Sequence, residues 1–145
     1  MTREDWNLLI LGSAGGRRLT PAQHQKCLFL LGRAYPDRVQ TEDWYRFRPH
    51  NYGAFDSAVY EDAERMYKDG LVDITRSQWG WKEYSATDLG LEKARELESE
   101  LPANVRKYLA ELVAWARSLS FEQLIRAVYE TYPETKTTSV FEDAR

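Results

Sequence analysis

The run CLFLL, Cys27 to Leu31, is apolar at five consecutive positions, and it restricts the fold more than any other stretch of the chain. It follows Thr20-Pro21-Ala22-Gln23. There the threonine is placed to cap a helix, the proline occupies a first position where its missing N–H costs nothing, and the glutamine can bond back to the cap. A helix is therefore predicted from Pro21 to about Tyr35. Five successive residues sweep the whole circumference of a helix, so this one must be covered on more than one side. It is expected at the centre of the molecule. Cys27 is the only cysteine; it cannot close an internal disulfide and reads as a small buried hydrophobe.

The remaining elements follow from local punctuation. Asp5 to Leu11 predicts a short apolar helix ended by GSAGG, Gly12 to Gly16. In TEDWYRFRPHNYG, Tyr45 and Phe47 alternate with Arg46 and Arg48 until Pro49, which predicts a short edge strand. Tyr52-Gly53 marks a tight turn. Asp56 or Ser57 can then cap a helix that ends at Gly70 and buries Val59, Ala63 and Met66. Leu71 to Ser77 and Trp81 to Ala86 flank Gln78-Trp79-Gly80 and read as a hairpin. Thr87 caps a segment built on Leu91, Ala94, Leu97 and Leu101, and Pro102 separates it from one built on Val105, Leu109, Leu112, Val113 and Ala116. Ser120 to Gln123 is a second capping box, opening a helix with Phe121, Leu124, Ile125, Val128, Tyr129 and Tyr132 on one face and Pro133 at its end.

This order predicts a mostly α fold with a small β-hairpin: a winged helix-turn-helix-like core with a C-terminal helical extension from about residue 102. One domain is expected over residues 1–134, with a flexible tail over 135–145. The two hydrophobic C-terminal helices can complete the core or pair with another copy, so a homodimer is one possible state.

Charge bears on partners. Residues 1–50 carry eight Lys/Arg against five Asp/Glu, and residues 51–145 carry twelve against eighteen. Nucleic acid, if bound, should meet the N-terminal half, because phosphate contacts need clustered cations. No apolar run approaches the roughly 18 residues of a membrane span, and Leu8 to Leu11 is too short for a signal peptide. A cytoplasmic protein with no membrane partner is expected.

Several stretches resemble one family. LTPAQHQKCLFLLGRAY is similar to the LQKLLFLL helix of the SocA-like antitoxin domain, also called Panacea, and of the related YwgA-type proteins. NYGAFDSAVYEDAERMYKDGLV resembles their YGPFS..VY.DLE.L...GLI, EYSATDLG resembles the wing-exit Y.LT..G, and VYETYPE matches a C-terminal VY..YPE. The pieces run from about Leu19 to Glu134. Ala54 and Asp56 stand where that family usually has proline and serine. The resemblance implies a non-enzymatic regulator from a bacterial or phage-associated setting, of antitoxin type, some members of which grip another protein.

The helix from Ser57 to Asp69 lies where many small regulators place a DNA-reading helix, yet Glu61, Asp62, Glu64 and Asp69 outnumber Arg65 and Lys68. Such a face repels phosphate. It is either a solvated surface stitched by Glu61–Arg65 and Glu64–Lys68 pairs or a docking face for a basic partner protein. Trp79 and Trp81 flank a hairpin tip with little core to bury them, and aromatic residues anchor protein interfaces. Trp81 can alternatively fold back across its strand onto Tyr84 or the helical core, leaving Trp79 alone exposed. Tyr52 and Phe55 either pin the helix entry or join the contact. The protein-binding candidates are thus Tyr52, Phe55, Glu61, Glu64, Trp79 and Trp81. For an operator-binding dimer the candidates are Arg17, Arg18, Arg46, Arg48, Arg76 and Lys82.

Catalysis is not expected. His24 and Cys27 share a helix face, but two ligands without partners make no metal site. GSAGGRR lacks the Gly-Lys-Ser/Thr ending of a phosphate loop and follows a helix. The carboxylates lie on helix faces with no evident apolar pocket to raise a pKa. No catalytic residue, cofactor or metal is predicted.

Overall fold

The computed structural model describes residues 1–50 and 52–135. Seven helices and two small antiparallel hairpins follow one another within these residues: α1 (Arg3–Gly12), α2 (Pro21–Ala34), α3 (Pro36–Val39), β1 (Arg48–His50), β2 (Gly53–Phe55), α4 (Ala58–Lys68), β3 (Val72–Arg76), β4 (Lys82–Ala86), α5 (Asp88–Glu98), α6 (Ala103–Ser118) and α7 (Phe121–Thr131). A 3-10 turn, Pro133–Thr135, comes last. The mostly α class with a small β-hairpin agrees with the sequence. None of these helices is long and apolar enough to cross a membrane.

The capping boxes at Thr20 and Ser120 form as their residue types dictate, each hydroxyl accepting from the backbone of a glutamine whose side chain returns the bond. A third, Thr2 with Asp5, starts α1 two residues before the predicted helix. α2 lies at the centre as expected, against α1, α6, α7, β2 and β4. It shares that position: Trp6 to Leu11 of α1 are all buried, and α1 also meets α4 and α5. The C-terminal helices pack on α2 within the same hydrophobic core, through Leu109, Val113, Leu124, Ile125 and Val128.

Three expectations are corrected. No strand forms over residues 42–47; Tyr45 is buried and Phe47 half-buried, so the alternation records packing against the core without a partner strand. The strand begins at Arg48 and includes Pro49, opposite Ala54 in a two-stranded ribbon whose open edges tolerate a missing N–H. Consequently the Tyr52-Gly53 turn leads into β2 before α4. The tail boundary also shifts by one, because Thr135 is buried and closes the 3-10 turn on Tyr132; residues 136–145 lie outside the described residues.

The second hairpin pairs Val72 with Ala86 through to Arg76 with Lys82. A single bridge from Leu19 to Tyr84 ties the α1–α2 turn to its outer edge, with Leu19 N–H donating to Tyr84 O at 2.9 Å. The hairpin exit is held by α5. Thr87 N–H donates to Leu71 O at 3.0 Å and its hydroxyl to Gly70 O at 2.7 Å. At Gly90 the fit admits no side chain, since a Cβ would stand 2.0 Å from Leu71 O.

Candidate functional site: two adjoining grooves

The first groove is built by α2 gripping the β1–β2 hairpin. The Gln25 amide clamps Asp56 in both directions, its nitrogen donating to Asp56 O at 2.8 Å and its oxygen accepting from Asp56 N–H at 3.1 Å. Lys26 Nζ donates to Ala54 O at 3.0 Å. Gly53 turns the hairpin at φ +100°, a left-handed conformation that a side chain would strain. Asp56 caps the start of α4, accepting from Ala58 N–H at 2.9 Å and from Arg46 N–H at 2.7 Å, while the Ser57 hydroxyl turns to Glu61. These ties leave a pocket of about 210 Å³ walled by Pro21, Ala22, Tyr52, Phe55, Tyr60 and Phe121, with Lys26 also lining it. Phe121 leaves the buried stripe of α7 predicted for it and meets Tyr52 edge-on at 5.2 Å.

Pro21 and Tyr60 belong also to a second, wider groove of about 510 Å³ between α4 and β4. Glu61, Glu64, Trp81, Lys82 and Tyr84 line it, and Tyr60 stacks on Tyr84 at 5.8 Å. Lys82 Nζ bonds Glu64 Oε1 at 2.7 Å across the groove. Trp81, 44% exposed, donates its indole N–H to Glu83 at 3.0 Å instead of folding onto Tyr84. Five of the six protein-binding candidates therefore line adjoining grooves: Tyr52 and Phe55 the first, Glu61, Glu64 and Trp81 the second. Trp79 lines neither, and stands 72% exposed on the hairpin loop.

The predicted stitching of the acidic helix is not what forms. Arg65 turns to Asp62 and Glu4, and Glu64 reaches Lys82 rather than Lys68. Asp62 is not on the acidic surface at all. It is fully buried, accepting from Arg3 Nε at 2.9 Å, from Arg65 and from the Tyr45 hydroxyl at 2.5 Å. The network continues inward, with Asn7 Nδ2 donating to Tyr45 OH at 2.9 Å and to Val59 O at 3.0 Å. A carbonyl only accepts, so the Asn7 nitrogen is fixed there and its oxygen accepts a hydrogen bond from His24 Nε2–H at 2.7 Å. Burial pushes His24 down to about 3 and keeps it neutral. Lys26 is pulled down to about 8 by burial, and Cys27 is pushed up to about 12 by the same cause.

Sequence reasoning missed Asn7, His24, Lys26, Tyr45 and Asp62. For Asp62 a signal existed: positions 59, 62, 63 and 66 form one helical stripe, and an acid there must be buried and paired.

Of the DNA candidates, Arg17, Arg18, Arg46 and Arg48 are exposed. Arg76 donates to Gly80 O across its own loop, and Lys82 is held by Glu64. The Leu19–Tyr84 bridge sets Arg17 and Arg18 beside the second hairpin. Neither family models, nor curated proteins, nor solved structures match the chain.

Proposed function

We propose that this chain is a non-enzymatic regulatory protein of antitoxin type that acts by holding a partner protein through the α4–β4 groove. The observation that carries the reading is the meeting of Trp81 and Tyr60, the latter backed by the buried ring of Tyr84, with the carboxylates of Glu61 and Glu64 along one groove. A half-exposed indole beside the Tyr60 ring supplies apolar anchors, and Glu61, which forms no salt bridge among the described residues, attracts basic side chains of the partner. A toxin or other effector presenting an apolar residue flanked by lysine or arginine fits this groove. Trp79 extends the same hairpin outward and widens the contact.

The alternative, a homodimeric winged-helix regulator of operator DNA, has support from the four exposed arginines and from the Leu19 bridge, which adds a minimal third strand to the hairpin. Protein binding is favoured because α4 would have to approach phosphates acid-first, while the hairpin cations Arg76 and Lys82 already have partners within the chain.

Affinity capture of the full chain from its native cell, with and without nuclease, separates the two. The expected result is a stoichiometric protein that survives nuclease, binds the purified chain directly, and binds Trp79→Ala/Trp81→Ala at least about tenfold more weakly. Recovery of promoter DNA alone, lost with nuclease, with high salt and with Arg46→Ala/Arg48→Ala, would replace this reading with the operator one.

A further inference from the structure

Lys26 is the one strongly buried ammonium group in the described residues, 3% exposed, and its surroundings leave it incompletely satisfied. An ammonium carries three N–H donors, and Lys26 spends one, on Ala54 O. The neighbouring Gln25 amide is engaged with Asp56 at both ends, and it makes no hydrogen bond to the lysine. No carboxylate of the described residues pairs with Lys26. A buried cation without a counter-charge is costly, and an anion brought beside it would offset that cost.

Lys26 also lines the 210 Å³ pocket, whose walls include the mostly apolar Pro21, Phe55, Tyr60 and Phe121, with Gln25 and His50 among its polar lining. Gly53 keeps this space open: a Cβ there would lie 3.3 Å from both Lys26 Cε and Tyr129 Cε1. The Tyr129 hydroxyl, on the ring that packs against the same glycine, is buried with no hydrogen-bond partner among the described residues.

We propose that this pocket binds a small monocarboxylic acid with an apolar body, about the size of benzoate or phenylacetate, its carboxylate on the Lys26 ammonium and its body between Phe55, Tyr60 and Phe121. One cation and few donors suit a single carboxylate better than a phosphate, which needs several, and the apolar walls disfavour sugars and nucleotides. Glu61 in the adjoining groove, where Lys82 already pairs with Glu64, further disfavours polyanions. At neutral pH the amine remains mostly charged despite its lowered pKa of about 8.

Isothermal titration of the full chain at pH 7 with benzoate and phenylacetate, against benzamide and benzyl alcohol as neutral counterparts, tests this. The acids are expected to bind with a dissociation constant of about 1 mM or tighter, and the neutral compounds at least about tenfold more weakly. Lys26→Met, which keeps the stem and removes the charge, is expected to lose at least about tenfold in acid binding. Phe121→Ala, at a residue 46% exposed and so tolerant of truncation, is expected to lose severalfold. Should Lys26→Met fail to fold, the acid-to-neutral comparison and Phe121→Ala decide. The proposal is overturned if the acids bind no better than the neutral compounds, or if folded Lys26→Met binds them as the unaltered chain does. Binding of a peptide through its free C-terminal carboxylate in the absence of any free-acid binding would also overturn it, making the pocket part of a protein contact. None of these outcomes touches the Trp81 groove, so the partner-binding reading stands or falls separately.

Discussion

Asp62 illustrates what a single residue does when helical spacing and charge conflict. Its position on the stripe of Val59, Ala63 and Met66 takes it into the interior, where an unpaired carboxylate would cost several kcal/mol. Arg3 from α1, Arg65 one turn on and the Tyr45 hydroxyl answer that cost together. Removing it strands the Arg3 guanidinium, itself three-quarters buried, and the hydroxyl. Asp62→Ala is therefore expected to destabilise the fold by about 3 kcal/mol in urea unfolding. The double variant with Arg3→Ala should cost less than the two single changes added together. A loss under about 1 kcal/mol would show that the network contributes no more than a surface pair. The same conflict explains why the acidic face of α4 was overcounted from sequence: charge is visible in the letters, whereas the partners that bury it come from elsewhere in the chain.

At the scale of elements, what was legible depended on how local the cause is. Thr20 and Ser120 start helices through bonds completed within four residues, and both were readable. β1 was misplaced because a strand needs a partner, and the partner of Arg48–His50 is set by the turn at Gly53 and by the grip of Gln25 and Lys26 on β2. The grooves were less legible still, since one exists only once α2 grips the β1–β2 hairpin and the other only once α4 and β4 pack across Tyr60. Gly90 shows the same dependence in one atom. Alanine should favour the α5 helix by about 1 kcal/mol in isolation. Here its Cβ would strike Leu71 O, and α5 would have to move off the hairpin exit that Thr87 secures. Gly90→Ala is expected to destabilise by about 2 kcal/mol. A neutral or stabilising result would mean that α5 is not docked there as closely as described.

The described residues share one core, and its polar chain from His24 through Asn7 and Tyr45 to Asp62 joins α2, α1, the loop before β1 and α4. This makes global stability answer to one buried imidazole. His24 faces Asn7 and the rings of Tyr60 and Tyr84, and its Nδ1 has no partner among the described residues, so a second proton has nowhere favourable to go. Burial holds its folded pKa at about 3 against an ordinary 6.5. Between those values the unfolded chain binds a proton that the folded chain refuses, so stability is fully present above 6.5 and drains away as pH falls toward 3. By pH 5 the loss from this group should reach roughly 2 kcal/mol, and near pH 3 on the order of 4 kcal/mol. His24→Gln keeps an N–H for Asn7 and removes the titration. Unfolding free energies from urea at pH 7 and pH 5 should therefore differ for the unaltered chain by about 2 kcal/mol more than for the variant. Equal slopes in the two proteins would mean that acid reaches the fold through its carboxylates instead, and that the imidazole takes up its proton without opening the core.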